Sequence, residues 1–125
     1  MIVKEIYVPI YSYMIRYIEV EDFSYKEKRK FISYIKKLGY YDDFINDINN
    51  IMNNKSCGAG TTYHNNQKLE ICVIIYPQPN EDRKIETIMH EKRHCEDFIL
   101  KKLDIDDMEA AAYLAGWLAV KFINK

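Results

Sequence analysis

The chain has 125 residues, and 48% of them are hydrophobic, which is enough apolar material for the core of one domain over residues 1–125. Its 18 basic and 19 acidic residues nearly cancel. The composition therefore gives no broad positive surface for nucleic acid or an anionic membrane. Three cysteines without a CxxC spacing argue against a disulfide framework and favour a reducing compartment, so we expect a cytoplasmic protein.

The first part of the chain, residues 2–20, is rich in Ile, Val and Tyr in loose alternation. This pattern predicts one long bent strand or two short strands. Charged residues interrupt the segment and no small-residue cleavage site follows, so it is a poor signal peptide. The longest apolar stretch, residues 110–120, is too short to span a bilayer.

Two helices are predicted next. Ser24 is a suitable N-cap for the first helix, and Gly39 is a suitable C-terminal stop. The apolar residues of this helix recur at helical spacing: Phe31, Ile32, Ile35 and Leu38. A second, Asn-rich helix repeats that spacing with Phe44, Ile45, Ile48, Ile51 and Met52.

The remaining elements define the expected fold. Residues 61–63 and 69–76 favour strands, and the Asn65-Asn66 turn between them predicts a β-hairpin. A helix over 81–103 and an Ala-rich helix over 107–123 follow. We expect an α+β fold, in which a small mixed or antiparallel sheet with this hairpin packs against both C-terminal helices.

The predicted 81–103 helix contains the sequence HEKRH, residues 90–94. Residues four apart on a helix lie about 40° apart around the axis and about 6 Å apart along it. His90 and His94 can therefore converge on one ion, at nitrogen–zinc distances of about 2.0–2.1 Å. Glu91 projects beside them, displaced by about 100°, where it can reach a water molecule next to the metal.

Two histidines do not complete a zinc site, because a catalytic zinc needs a third protein ligand and an open position. No histidine follows His94, so the best candidate is Glu109, near the start of the next helix. Small side chains in that helix allow the two helices to approach closely. Alternatively, Asp106 and Glu109 form a capping box, or Asp106 or Asp107 is the third ligand.

His90-Glu91-xx-His94 with a glutamate on the next helix resembles the zincin metallopeptidases of the gluzincin type. The preceding hairpin is similar to the zincin core, and Glu109-Ala-Ala-Ala-Tyr-Leu-Ala is faintly similar to the second helix of ImmA/IrrE-type peptidases. The resemblance covers residues 58–120. It implies a zincin-like hydrolase with Zn²⁺ ligands His90, His94 and Glu109 and Glu91 as general base. It also implies a peptide or protein substrate whose backbone binds an edge strand.

Two charged residues inside the motif depart from the usual zincin pattern. Lys92 falls in the apolar stripe of the helix, so it must snorkel or find a carboxylate, and Arg93 follows it. These charges favour an alternative function, a catalytically inactive metal-binding module that recognises a protein partner. The intact Glu91 favours the enzyme, because metal binding alone does not need it. A simpler alternative is a solvated helix face with two idle histidines.

Three further residues have alternative interpretations. His64 is a fourth ligand, a substrate contact or an ordinary strand histidine, and the ordinary histidine is favoured. Tyr113, one turn after Glu109, either polarises a substrate carbonyl or serves in packing, and packing is favoured. Cys95 adjoins His94, but its side chain points into the apolar stripe, which predicts a core residue.

Overall fold

The computed structural model describes residues 1–124, which form an α+β fold with a four-stranded mixed sheet and four helices. The strands are β1 (Ile2–Val8), β2 (Tyr13–Glu19), β3 (Gly60–Asn65) and β4 (Glu70–Ile75). The helices are α1 (Tyr25–Lys37), α2 (Asp42–Asn53), α3 (Glu81–Lys102) and α4 (Met108–Ile123). The predicted α+β class is confirmed, and residues 2–20 form two short strands.

The sheet order is β1-β2-β4-β3, which puts β3 at one edge. Two antiparallel hairpins, β1–β2 and β3–β4, are joined by the parallel pairing of β2 with β4. Because α1 and α2 lie in the connection between the hairpins, the chain crosses over before the second hairpin begins. The predicted hairpin at Asn65-Asn66 is confirmed.

Each face of the sheet has its own apolar core, because alternate residues of a strand point to opposite faces. The strand residues packed with α3 and α4 include Ile15, Tyr17, Ile71, Val73 and Ile75. Those packed with α1 and α2 include Ile18, Cys72 and Ile74, together with Tyr76 just after β4. The sheet is thus a middle layer with two helices on each side.

The helix termini show local capping. The Ser24 hydroxyl accepts a hydrogen bond from the Glu27 N–H at 3.2 Å, and Gly39 follows α1 with a left-handed φ of +79°, as predicted. Asn80 caps α3. The cap of α4 is Asp107, whose carboxylate accepts the Glu109 N–H at 3.1 Å. The alternative of a capping box with Asp106 as the cap is therefore wrong by one residue.

Lys92 finds the carboxylate that its position in the apolar stripe requires. Its ammonium group contacts the Glu96 carboxylate one turn later, and it donates to the Ala115 carbonyl of α4 at 3.3 Å. Glu96 is buried, and Lys92 is mostly buried. Cys95, on the same side of α3, is fully buried in the core, as predicted. None of the helices in residues 1–124 combines the length and apolar character needed to cross a membrane.

Candidate metal centre

The two histidines of HEKRH face each other on the surface of α3. Their Nε2 atoms are 3.2 Å apart. Two nitrogens bound to a tetrahedral zinc at about 2.05 Å are separated by about 3.3 Å. The pair therefore already has nearly the spacing that one zinc requires. The His90 side chain is 69% exposed, so the open side of the pair is accessible to solvent.

Glu91 is buried beside this exposed pair. Its Oε2 lies 3.9 Å from Nε2 of His90, and its Oε1 accepts a hydrogen bond from the Thr62 hydroxyl at 2.8 Å. His90, Glu91 and His94 each contribute one ligand atom to a group within 4.8 Å, a donor set that could hold a metal ion. Thr62 occupies one oxygen of Glu91 and leaves the other facing the histidines.

Gly60 of β3 makes room for the Glu91 side chain. A Cβ atom at residue 60 would lie 2.8 Å from Glu91 Cγ and 2.9 Å from Oε2, closer than real Cβ contacts. Gly60, Thr62 and His64 alternate along β3 and face α3, because successive residues of a strand point to opposite sides. On this face of β3, Gly60 leaves space for the Glu91 carboxylate and Thr62 donates a hydrogen bond to it.

A cleft of about 390 Å³ opens beside Glu91, between the start of β3 and the first half of α3. Its lining residues are Gly58, Ala59, Gly60, Arg83, Glu86, Thr87, His90 and Glu91. The Gly58 N–H donates to the Pro77 carbonyl at 2.9 Å, which fixes the start of β3 against the segment that leads into α3. Glu91 and His90 therefore line one wall of an open cleft.

Glu109 lies outside the group formed by His90, Glu91 and His94. It is exposed in the first turn of α4. Lys92 contacts Ala115, and Glu109 precedes Ala115 by six residues, or about 9 Å along α4. Its assignment as the third ligand therefore stays a prediction.

His64 and Tyr113 both lie outside the candidate centre. His64 Nε2 is 2.7 Å from the Tyr13 hydroxyl, and its ring stacks on Phe98 with centroids 4.8 Å apart. Burial, aided by the charge of Lys102, lowers the pKa of His64. These contacts are those of an ordinary strand histidine. Tyr113 is 77% exposed and lines an apolar cleft between α4 and the β1–β2 turn.

The contacts of Glu91 with Gly60 and Thr62 are the part of the site that sequence reasoning missed. The signal was a glycine at the start of a predicted strand, which often marks a close approach of another group to the backbone. The sequence alone does not pair this glycine with Glu91, because Glu91 lies 31 positions further along the chain.

Comparisons with known proteins give no match: no family model, no curated protein and no solved structure is similar to this chain.

Proposed function

We propose that this protein is a zinc-dependent metallopeptidase that hydrolyses peptide bonds in a peptide or protein substrate. The observation that carries the proposal is the 3.2 Å spacing of the His90 and His94 Nε2 atoms beside a buried glutamate. An idle surface pair needs neither feature. The HEKRH motif and its similarity to the gluzincins supply the reaction type.

Each residue has a distinct role in this proposal. His90 and His94 would hold the zinc through Nε2, and Glu109 would be the third ligand. A bound zinc ion would supply a Lewis acid and lower the pKa of a coordinated water to about 7. Glu91 would take a proton at Oε2 from the water that adds to the peptide carbonyl, because Thr62 already occupies Oε1, and would pass that proton to the amine as the C–N bond breaks.

The edge position of β3 fits an extended substrate. Among residues 1–124, β3 pairs only with β4, so its outer edge can hydrogen-bond a peptide backbone that runs past Glu91. This is the mode that the zincin resemblance implies. Three free cysteines support a cytoplasmic location as part of the proposal.

Glu91→Gln tests the enzyme directly. The amide keeps the size of the side chain but cannot act as a base, so we expect unchanged zinc binding and about a hundredfold or greater loss of hydrolysis. The wild-type protein is incubated with cell extract, and new peptide termini are identified by mass spectrometry. The same cleavage pattern from both proteins would contradict the role of Glu91.

Glu109→Gln tests the third ligand. The cap of α4 uses the Glu109 backbone N–H, so the amide leaves this hydrogen bond intact. A ligand role predicts a large loss of zinc affinity with little change in the free energy of unfolding. Glu81→Gln, at another exposed glutamate in the first turn of a helix, is the matched control. Unchanged zinc affinity in Glu109→Gln would remove the residue from the site.

The alternative is a catalytically inactive metal-binding module that recognises a protein partner. Arg93 is the observation that favours it, because its side chain is 73% exposed within the motif and pairs with Asp97 at 3.3 Å. Lys92 does not favour it, since its ammonium group lies between α3 and α4. If wild type and Glu91→Gln both bind zinc and the same partner without cleavage, this alternative replaces the enzyme.

A further inference from the structure

A second cleft, of about 400 Å³, lies on the other side of the histidine pair from the one beside Glu91. The last turn of α3 and the end of β3 form its walls. Its lining residues are His64, Asn66, Phe98, Lys101 and Lys102. Two ammonium groups, an imidazole and an amide thus surround an aromatic ring, which is a donor-rich lining without a carboxylate.

This basic cleft adjoins the candidate metal centre along α3, through the contact of Phe98 with His94. Phe98 is one turn beyond His94, and the two rings stack with centroids 6.5 Å apart. Lys101 follows His94 by seven residues, which is about 10 Å along the helix. An extended peptide advances about 3.3 Å per residue, so a chain along β3 would reach the lysines about three residues from the metal.

The two lysines of the cleft form no close ion pair with a described side chain. Within residues 1–124, neither Lys101 nor Lys102 has a carboxylate within 4.0 Å, whereas Arg83, at the opposite end of the groove, pairs with Glu86 at 3.7 Å. Both lysines are exposed on the last turn of α3. Because its lysines have no close carboxylate, the basic cleft should select ligands by charge as well as by shape.

We infer that this basic cleft is a subsite for acidic side chains, so that the protein prefers peptides with Asp or Glu about three residues to one side of the metal. The inference rests on the proposed function, since it assumes a peptide bound along β3. The carboxylates would pair with the Lys101 and Lys102 ammonium groups, while the stem of the side chain packs on Phe98.

Peptide binding tests the subsite without any need for catalysis. Two fluorescent peptides are compared that differ only in having a Glu-Glu or a Gln-Gln pair. Their affinities are measured by fluorescence anisotropy, with and without zinc. The protein used is the Glu91→Gln variant, so that the peptides are not cleaved. We expect the Glu-Glu peptide to bind more tightly by a factor between about two and about thirty, because it can form two exposed ion pairs with Lys101 and Lys102. The preference should shrink at high salt.

Charge reversal supplies the matched control. Lys101→Glu/Lys102→Glu should abolish the preference, whereas Lys36→Glu/Lys37→Glu should keep it. Lys36 and Lys37 are also adjacent, exposed and in the last turn of a helix, so both pairs change the helix-end electrostatics equally.

The outcomes separate the subsite from the proposed function. Equal affinity for both peptides, or no binding of either, overturns the subsite. Lysine-dependent binding of an oligonucleotide without a preference for the Glu-Glu peptide also overturns it. A clear preference in a protein that binds no zinc supports the subsite while the metallopeptidase proposal fails.

Discussion

The position of the Glu91 carboxylate is determined by two residues of another element. Thr62 donates to one of its oxygens, and the missing side chain of Gly60 leaves space for the other. The carboxylate is buried, so a lost contact cannot simply be replaced by solvent. Substitutions of Gly60 or Thr62 should therefore change the position of the Glu91 carboxylate without changing the positions of His90 and His94.

Gly60→Ala should displace Glu91. The new methyl group would lie 2.8 Å from Glu91 Cγ, so we expect about 1–3 kcal/mol of destabilisation and loss of any Glu91-dependent hydrolysis. The free energy of unfolding is measured in urea. Gly116→Ala is the control, because nothing lies within 4 Å of its added methyl group and alanine favours a helix. If the two substitutions destabilise the protein equally, the absence of a side chain at Gly60 is not needed to make room for Glu91.

Thr62→Val should remove the donor to Glu91 and keep the shape of the side chain. An unsatisfied buried acceptor costs about 1–3 kcal/mol, so the variant should unfold at a lower urea concentration. Thr61→Val is the control, since the Thr61 hydroxyl has only a 3.4 Å contact with the Tyr76 hydroxyl. If both valine variants are equally stable, the Thr62–Glu91 hydrogen bond has no net effect.

At the level of the elements, an ion pair within α3 lies against α4. Lys92 and Glu96 are one turn apart, Glu96 is buried and Lys92 is mostly buried, and the Lys92 ammonium group also donates to the Ala115 carbonyl of α4. A buried pair adds little net stability over an apolar pair, but either charge left alone in the interior is costly. This interaction explains how a lysine is tolerated in the apolar stripe of α3.

Glu96→Gln should leave the Lys92 ammonium group without its main partner. We expect about 3 kcal/mol of destabilisation, and Lys92→Met/Glu96→Gln should recover most of it. Thermal and urea unfolding of the single and double variants give the coupling free energy. If the destabilisations caused by Lys92→Met and by Glu96→Gln simply add in the double variant, the two side chains do not stabilise each other.

The elements were predictable where their signals are local. Ser24 and Gly39 mark the ends of α1, and the apolar run before Pro77 marks β4. The parallel pairing of β2 with β4 has no such signal, because two helices and a strand separate them in the chain. The approach of Gly60 to Glu91 follows only from that long-range arrangement.

The histidine pair could be predicted because its geometry belongs to one helix. The i, i+4 spacing alone brings His90 and His94 together, and the structure has them 3.2 Å apart. Glu109 depends instead on how α4 packs, which Lys92 and Ala115 help to determine. Spacing in the sequence does not contain that information.

For the whole molecule, the buried tyrosines of the two cores make the folding stability sensitive to alkaline pH. Burial raises the pKa of four phenols: Tyr13, Tyr17, Tyr40 and Tyr76. Burial also raises the pKa of the Cys72 thiol to about 12. In the unfolded chain these groups lose their protons near their ordinary values, about 8.5 for Cys and about 10 for Tyr. The contribution of these buried groups to the stability is thus fully present below about pH 8.5, and it is lost as the pH rises further.

Stability should therefore fall as the pH rises from about 9 to 11, because the unfolded state then binds fewer protons than the native state. Tyr76→Phe should make this decline shallower, by up to about 1.4 kcal/mol per pH unit. Tyr41→Phe, at an exposed position, should not. Urea unfolding across the pH series measures both slopes, and a stability that stays constant to pH 11 would contradict the burial of these phenols.

The central claim is that His90 and His94 together hold one zinc, and its most direct measurement is the zinc stoichiometry of the chain purified without a histidine tag. Metal-stripped protein is titrated with zinc by calorimetry at neutral pH. We predict one zinc per chain for the wild type, for Glu91→Gln and for His64→Gln, and a large loss of affinity for His90→Ala and for His94→Ala. A stoichiometry well below one that excess zinc does not raise, or undiminished binding in both alanine variants, would contradict the claim.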